Sequence, residues 1–280
     1  MMEFNAKEIS DLKKRAAQLR SNLIDMIPPG KVGHLGGSSS IMDVVAALYF
    51  KVMNVFEDPK DPRRDLLVFS KGHAVLAQYA AFVELGYVER EALKLVKTLQ
   101  GTLQGHPDMD HTPGIEAVTG SLGQGLSISL GMALGLQLEG KSSRVYCIVG
   151  DGEQAEGQIW EAAMAAAAYK VDNLCAIVDV NGVQATAAID QVLANPDLKM
   201  KWEAFGWKTI EIDGHDMNQI LTAFKQAKTV KGQPTVILAK TIKGKGFSFA
   251  EGKAAYHNAA MNQEEYAQAR ELVRKMLEEA

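Results

Sequence analysis

The run Val145-Tyr146-Cys147-Ile148-Val149-Gly150-Asp151-Gly152 decides the fold. Its first five residues are apolar without alternation, which predicts a strand buried on both faces, as in a parallel sheet covered by helices on each side. The glycines beyond it predict a sharp turn out of the strand. A helix from about Gln158 to Tyr169 follows and carries six alanines. Leu174–Val178 repeats the buried-strand pattern and is ended by Asp179-Val180-Asn181-Gly182. Downstream come a strand over Trp207–Ile212, a helix over Met217–Lys228 and a strand over Thr235–Lys240. Upstream, Asp65–Ser70 reads as a short strand, with helices over about Ala74–Leu85, Ala92–Val96 and Gly123–Leu138. Strands alternating with helices predict an α/β fold, a doubly wound parallel sheet flanked by helices.

At the edges of this pattern, Ile9, Leu12, Ala16, Leu19, Leu23 and Met26 recur at helical spacing. They predict an amphipathic arm over about 3–26, stopped by Pro28-Pro29-Gly30. A Gly/Ser-rich stretch, Gly33–Ser40, leads into an apolar helix ending near Tyr49. Residues 241–260 look irregular, and a charged helix over about 262–278 closes the chain. Thr98–Gly120 lacks any period, and irregular loops of that length are often functional. Ser127, Gly131 and Gly135 lie four apart on one helix, leaving a bare face for close packing, either within the chain or against another subunit. No repeat, linker or sharp boundary appears, so residues 1–280 are expected to form one domain.

Apolar residues make up 47% of the 280 and charged ones 23%, enough for a core and too few charges for disorder. A net charge of -4 argues against non-specific binding to nucleic acid or an anionic membrane. No uncharged apolar run approaches the ~18 residues of a bilayer span. The polar start, Met1-Met2-Glu3-Phe4-Asn5, shows no signal peptide, and a cytoplasmic location is expected. Cys147 and Cys175, each inside a strand-like run, read as buried free thiols rather than a disulfide.

Open parallel sheets bind ligands beyond the carboxyl ends of their strands. Two such ends carry oxygen-bearing side chains: Gly150-Asp151-Gly152 with Glu156, and Asn181 with Gly182. Bare glycines at a strand-to-helix turn let a phosphate approach the backbone. A carboxylate and an amide oxygen beside a diphosphate suit Mg²⁺, which prefers octahedral oxygen ligands. Taken singly, Gly150-Asp151-Gly152 reads equally as a tight turn with an N-cap aspartate, and Asn181 as an Asx-turn residue. Their combination across two strands, 30 residues from Asp151 to Asn181, is more specific. It is neither a dinucleotide fingerprint nor a Walker loop, because the glycines read GDGxxxxG and no lysine follows. Four of the six histidines directly follow glycine: His34, His73, His106 and His215. That placement predicts imidazoles presented on turns. His215, within Asp213-Gly214-His215-Asp216, is expected to order a strand-to-helix turn, and His111 to lie on the surface.

With these residues in view, the chain resembles the thiamine-diphosphate-binding half of transketolases, and in particular the N-terminal subunit of split forms. The stretches that carry the likeness are Gly33-His34-Leu35-Gly36-Gly37, Ser70-Lys71-Gly72-His73-Ala74, Gly105-His106-Pro107, Thr119-Gly120-Ser121-Leu122-Gly123-Gln124-Gly125, Gly150-Asp151-Gly152 with Glu156, Asn181, Asp213-Gly214-His215-Asp216 and Tyr256-His257. They span residues 33 to 257 in the family's order. The resemblance implies thiamine diphosphate with Mg²⁺, for which Ca²⁺ or Mn²⁺ can substitute. It implies that Asp151, Asn181 and the Val183 carbonyl hold the metal. Gly150, Gly152, His73 and His257 would meet the diphosphate, and Gly120, Ser121 and Leu122 would lie along the rings. His34, His106 and His257 would face the reacting sugar, and Glu156 would join a carboxylate network at a subunit interface. The implied reaction moves a two-carbon ketol unit from a ketose to an aldose, on sugar phosphates or related compounds.

The stretch after His34 reads Leu-Gly-Gly-Ser-Ser-Ser, as in split forms rather than full-length ones. The apolar Val180 between Asp179 and Asn181 departs from the usual polar residue, at a position expected to point away from the metal. The pyrimidine-side domain, which supplies the glutamate for the cofactor's aminopyrimidine and the groups for the substrate phosphate, is not in this chain. A second polypeptide is therefore expected, in a heterotetramer. The alternatives are the α subunit of a 2-oxo acid dehydrogenase, disfavoured by the SKGHA, GHP and TGSLGQG stretches, and a silent regulatory subunit, disfavoured by intact Asp151, Asn181 and histidines.

Overall fold

A computed structural model describes residues 4–280. Met1, Met2 and Glu3 lie outside the described residues, and with them most of the polar start and the first residue of the arm expected from residue 3. Helix α1 (Ala6–Met26) is capped by Asn5, whose side chain accepts the Glu8 amide at 2.8 Å. Strand β1 (Val32–Gly33), α2 (Leu35–Ser40) and α3 (Met42–Ala47) follow, and a π turn over Leu48–Val52 extends α3. Then come β2 (Leu66–Phe69), α4 (Leu76–Leu85), α5 (Gln124–Leu138), β3 (Val145–Gly150), α6 (Gly157–Ala168) and β4 (Leu174–Val180). The chain continues through α7 (Ile189–Val192), α8 (Leu198–Ala204), β5 (Lys208–Asp213), α9 (Met217–Thr229) and β6 (Thr235–Lys240). It ends with β7 (Ala259–Ala260) and α10 (Gln263–Glu279).

The main sheet has the order β2-β3-β4-β6-β5 with every pair parallel, as the unbroken apolar runs predict. Because side chains alternate across a strand, each central strand feeds two cores. Tyr146, Ile148, Cys175 and Ile177 pack with α1, α3, α4 and α9. Cys147, Val149, Ala176 and Val178 pack with α5 and α6. Both cysteines are buried and free. No helix among the described residues is long and apolar enough to cross a membrane.

Four local expectations change. The Gly/Ser-rich stretch is itself helical, as α2, and all six of its residues are buried. Its small side chains allow this, and two of its three hydroxyls find partners: Ser39 Oγ donates to the Lys245 carbonyl at 2.5 Å and Ser40 Oγ to Asp179 at 2.5 Å, while the buried Ser38 hydroxyl has none among the described residues. The helix expected around Ala92–Val96 is a 3-10 turn, Arg90–Leu95. Two short helices, α7 and α8, occupy what reads as loop, the second anchored by the fully buried Trp202. Within the irregular 241–260 stretch, β7 pairs antiparallel with β1 and draws the tail of the chain back beside His34.

Candidate cofactor site

The carboxyl ends of β3 and β4 lie side by side, with Gly150 opposite Asp179 in the register. Each strand delivers its next residues to one cavity of about 560 Å³. Asp151, Gly150, Gly152 and Glu156 enter from β3, and Asn181 and Val183 from β4. His34, His73, His106 and His257 line the same cavity, although 223 residues separate the first from the last. Their ring centroids are 5.2 Å apart for His34–His73, 6.0 Å for His34–His106, 5.5 Å for His34–His257 and 4.8 Å for His73–His257. Gly120 and Leu122 line the wall, whereas Ser121 between them is exposed and not part of it. Glu156 is exposed at the rim, and its side chain makes no hydrogen bond among the described residues. His215 lies elsewhere, and His111 is on the surface against Asp108.

The two loop motifs meet through glycine. A Cβ at Gly72 would lie 2.7 Å from the Thr119 carbonyl carbon and oxygen, so the backbone carrying His73 touches the backbone carrying Gly120. Gly120 has φ +146°, which L side chains rarely adopt, and its open face receives the His106 ring. A buried carboxylate ties these pieces to the sheet. Glu153 Oε1 accepts from Ser70 Oγ at 2.5 Å and from the Gly123 amide at 2.8 Å, and Oε2 accepts from the Gly150 amide at 2.9 Å.

The electrostatics are set by burial. Burial, reinforced by Lys97, brings His34 down to about 3, and its Nδ1 has no partner. Burial and Lys71 bring His73 to about 2, and burial and Lys243 bring His257 to about 4. Burial also lowers His106. The cluster is therefore neutral at pH 7, each ring offering one donor and one acceptor nitrogen. Asp151 is pushed up to about 6 by burial and the nearby Asp179 carboxylate, against two backbone bonds. Its Oδ1 accepts the Gly152 amide at 2.8 Å and its Oδ2 the Gly182 amide at 2.6 Å. Burial alone would raise Asp179, but the Lys71 ammonium and the Ser40 and Thr241 hydroxyls hold it low.

Two lysines that the sequence reading left without a role sit in the cavity wall. Lys71 is buried, pairs with Asp179 and donates to the Gly37 carbonyl at 2.9 Å. Lys243 donates to the Val183 carbonyl at 2.7 Å and lies 3.0 Å from His257 Nδ1. Burial and Lys71 lower Lys243 to about 8. Lys71 was visible inside the SKGHA stretch. Lys243 stands in a featureless run and has no comparable signal.

The donor chemistry fits a hard cation bound with a diphosphate. One carboxylate, one amide oxygen and one carbonyl face the same space, and each Asp151 oxygen keeps a free lone pair after its backbone bond. A divalent cation there would offset the burial that disfavours the Asp151 carboxylate. Among the described residues no cluster of three His, Cys, Asp or Glu side chains suits a metal, so this mixed oxygen set is the candidate.

A parallel sheet whose strand ends open into a histidine-lined cavity with a glycine-rich turn defines a cofactor-binding α/β domain. The family model "Transketolase, thiamine diphosphate binding domain" matches residues 12–275. The 6-deoxy-6-sulfo-D-fructose transketolase subunit SqwG of Clostridium sp. (strain MSTE9) is 45% identical over 255 residues, 91% of this chain and 93% of that one. An apulose-4-phosphate transketolase subunit of Phocaeicola vulgatus is 38% identical over 263 residues, 94% of this chain and 93% of that one. The crystal structure of transketolase from Campylobacter jejuni superposes with a TM-score of 0.87 at 32% identity, covering 97% of this chain and 43% of that one. The chain belongs to the transketolase family and is its N-terminal, thiamine-diphosphate-binding domain. It spans about two fifths of full-length transketolases, 40% of the human enzyme.

Proposed function

We propose that this chain is the N-terminal subunit of a split, cytoplasmic transketolase, active with a pyrimidine-side partner in a heterotetramer. Residues 1–280 would act as one domain. The reaction would transfer a two-carbon ketol unit from a ketose to an aldose. The observation that carries this reading is the convergence of four neutral histidines and three hard oxygen donors on one cavity. Bound thiamine diphosphate supplies the electron sink for making and breaking a carbon–carbon bond.

This chain's residues bind, orient and handle protons. Asp151, the Asn181 amide oxygen and the Val183 carbonyl would hold Mg²⁺. His73 and His257, with Lys243 and the Gly150 and Gly152 backbone, would hold the diphosphate. Lys243 now donates to Val183, and would turn to the diphosphate when a metal takes that carbonyl. His34 and His106 would face the sugar hydroxyls. A neutral imidazole there accepts a hydroxyl proton and afterwards returns it. Gly120 and Leu122 would border the rings, and Glu156 would meet a carboxylate network across the subunit contact. Because the named relatives act on a sulfonated and a phosphorylated sugar, an anionic sugar is the substrate class proposed, with 6-deoxy-6-sulfofructose first to try.

The test is calorimetric titration of thiamine diphosphate with Mg²⁺ into the chain mixed with its pyrimidine-side partner. Saturable binding is expected with native protein and none with Asp151→Ala. Normal binding by Asp151→Ala, or no binding by native protein, overturns the site assignment.

A further inference from the structure

Outside the cavity, a buried polar chain runs behind its wall. Arg20 of α1 forms a bidentate pair with Asp43 of α3, Nη1–Oδ1 at 3.1 Å and Nη2–Oδ2 at 2.8 Å. Asp43 Oδ2 also lies 2.8 Å from Nδ1 of His215, at the turn after β5. The other ring nitrogen, Nε2, accepts the Ile242 amide at 2.9 Å. Nε2 therefore carries no proton, and Nδ1–H donates to Asp43. The same network holds the far end of the segment that begins at Ile242. The Lys245 carbonyl accepts from Arg20 Nε at 3.2 Å and from Ser39 Oγ at 2.5 Å. Between the two anchors, Lys243 sends its amine into the cofactor cavity. Arg20, Asp43 and His215 do not line that cavity.

We infer that His215 is a positioning residue that, through the Ile242 amide, fixes the segment 241–245 and so aims Lys243 into the cavity. Burying an ion pair against a half-buried imidazole is costly unless every group is bonded, and here each is. The turn-ordering role expected from the sequence is also present, since the His215 amide donates to Asp213 Oδ1 at 2.8 Å. The imidazole reaches further, from the turn after β5 to the loop after β6. The inference rests on the cofactor reading only for what Lys243 meets.

Three substitutions separate the roles. His215→Gln keeps an acceptor near the Nε2 position, His215→Asn keeps a donor toward Asp43, and His215→Phe keeps neither. Amide hydrogen exchange on the full chain, without cofactor, reads the segment directly. Exchange at Ile242 should quicken about five- to tenfold in the Asn and Phe variants, the loss of one hydrogen bond, and stay near native in the Gln variant. Equal exchange in all three and the native protein would overturn the inference.

The second readout is thiamine diphosphate affinity with Mg²⁺ in the assembled enzyme. His215→Phe should weaken it several-fold on its own, and less than twofold when Lys243 is already methionine. An undiminished effect in the Lys243→Met background would also overturn the inference. Failure of the native protein to bind the cofactor, with the exchange pattern as expected, would remove the cofactor reading and leave the positioning role standing.

Discussion

The contact between Gly72 and the Thr119–Gly120 backbone can be tested by adding one methyl group. In Gly72→Ala the new Cβ would sit 2.7 Å from the Thr119 carbonyl and 2.8 Å from the Gly120 nitrogen, where ordinary contact begins at 3.4 Å. Gly72 needs no unusual backbone angle, so the whole cost is steric. The 119–120 loop would have to retreat by about 0.7 Å. That loop is held by Thr119 Oγ1, which donates to the Phe69 carbonyl at 2.6 Å, so retreat breaks or stretches this bond. Overpacking at about 1–3 kcal/mol, with a lost hydrogen bond of about 1 kcal/mol, gives a destabilisation of roughly 2–4 kcal/mol. Urea unfolding followed by circular dichroism measures it. Gly157→Ala is the control: it opens α6, has nothing within 4 Å and lacks a positive φ, so it should stabilise by about 0.4–1 kcal/mol. Gly72→Ala within about 0.5 kcal/mol of native, or Gly157→Ala as damaging as Gly72→Ala, would refute the packing argument.

Lys71→Met should destabilise by about 3–5 kcal/mol because it strands the buried Asp179 carboxylate, and adding Asp179→Asn should recover much of the loss in the same unfolding assay. His106→Ala should lower turnover about 100-fold or more while leaving cofactor affinity within a few-fold, as steady-state kinetics and titration would show. Because His34 has its folded-state value depressed to about 3, its neutral form contributes stability that is complete above the unfolded value near 6.5 and is lost as pH falls from 6.5 towards 3. His34→Phe should flatten the fall of unfolding midpoint across that window, and an unchanged pH dependence would count against the burial of this ring.

The strands were legible because a sheet covered on both sides leaves no alternation: Val145–Val149 and Leu174–Val178 can be buried in only one kind of sheet. The histidines at His34, His73 and His106 announced themselves by the preceding glycine, and the cavity brings them together. Other features had no local mark. Leu35–Ser40 has poor helix formers, yet it is helical because burial against α1 and the 241–245 segment outweighs propensity. Glu153 and Lys243 act through partners 30 and 60 residues away, which single-sequence spacing does not encode. The small-residue stripe of α5 is only partly engaged: Ser127 Oγ accepts from Gln158 Nε2 of α6 at 2.5 Å, whereas among the described residues nothing lies within 4 Å of a Cβ placed at Gly131 or Gly135.

The Glu153 carboxylate reaches Ser70 from one loop, the Gly123 amide from a second and Gly150 at the end of β3. One side chain thus serves as the knot for three otherwise separate threads. Loosening any one of the three leaves a buried Glu153 oxygen short of a donor, so each thread has a stake in the position of the others. A protein wired in this way can vary the outer rim residue by residue, while the floor around Gly150 changes only as a set.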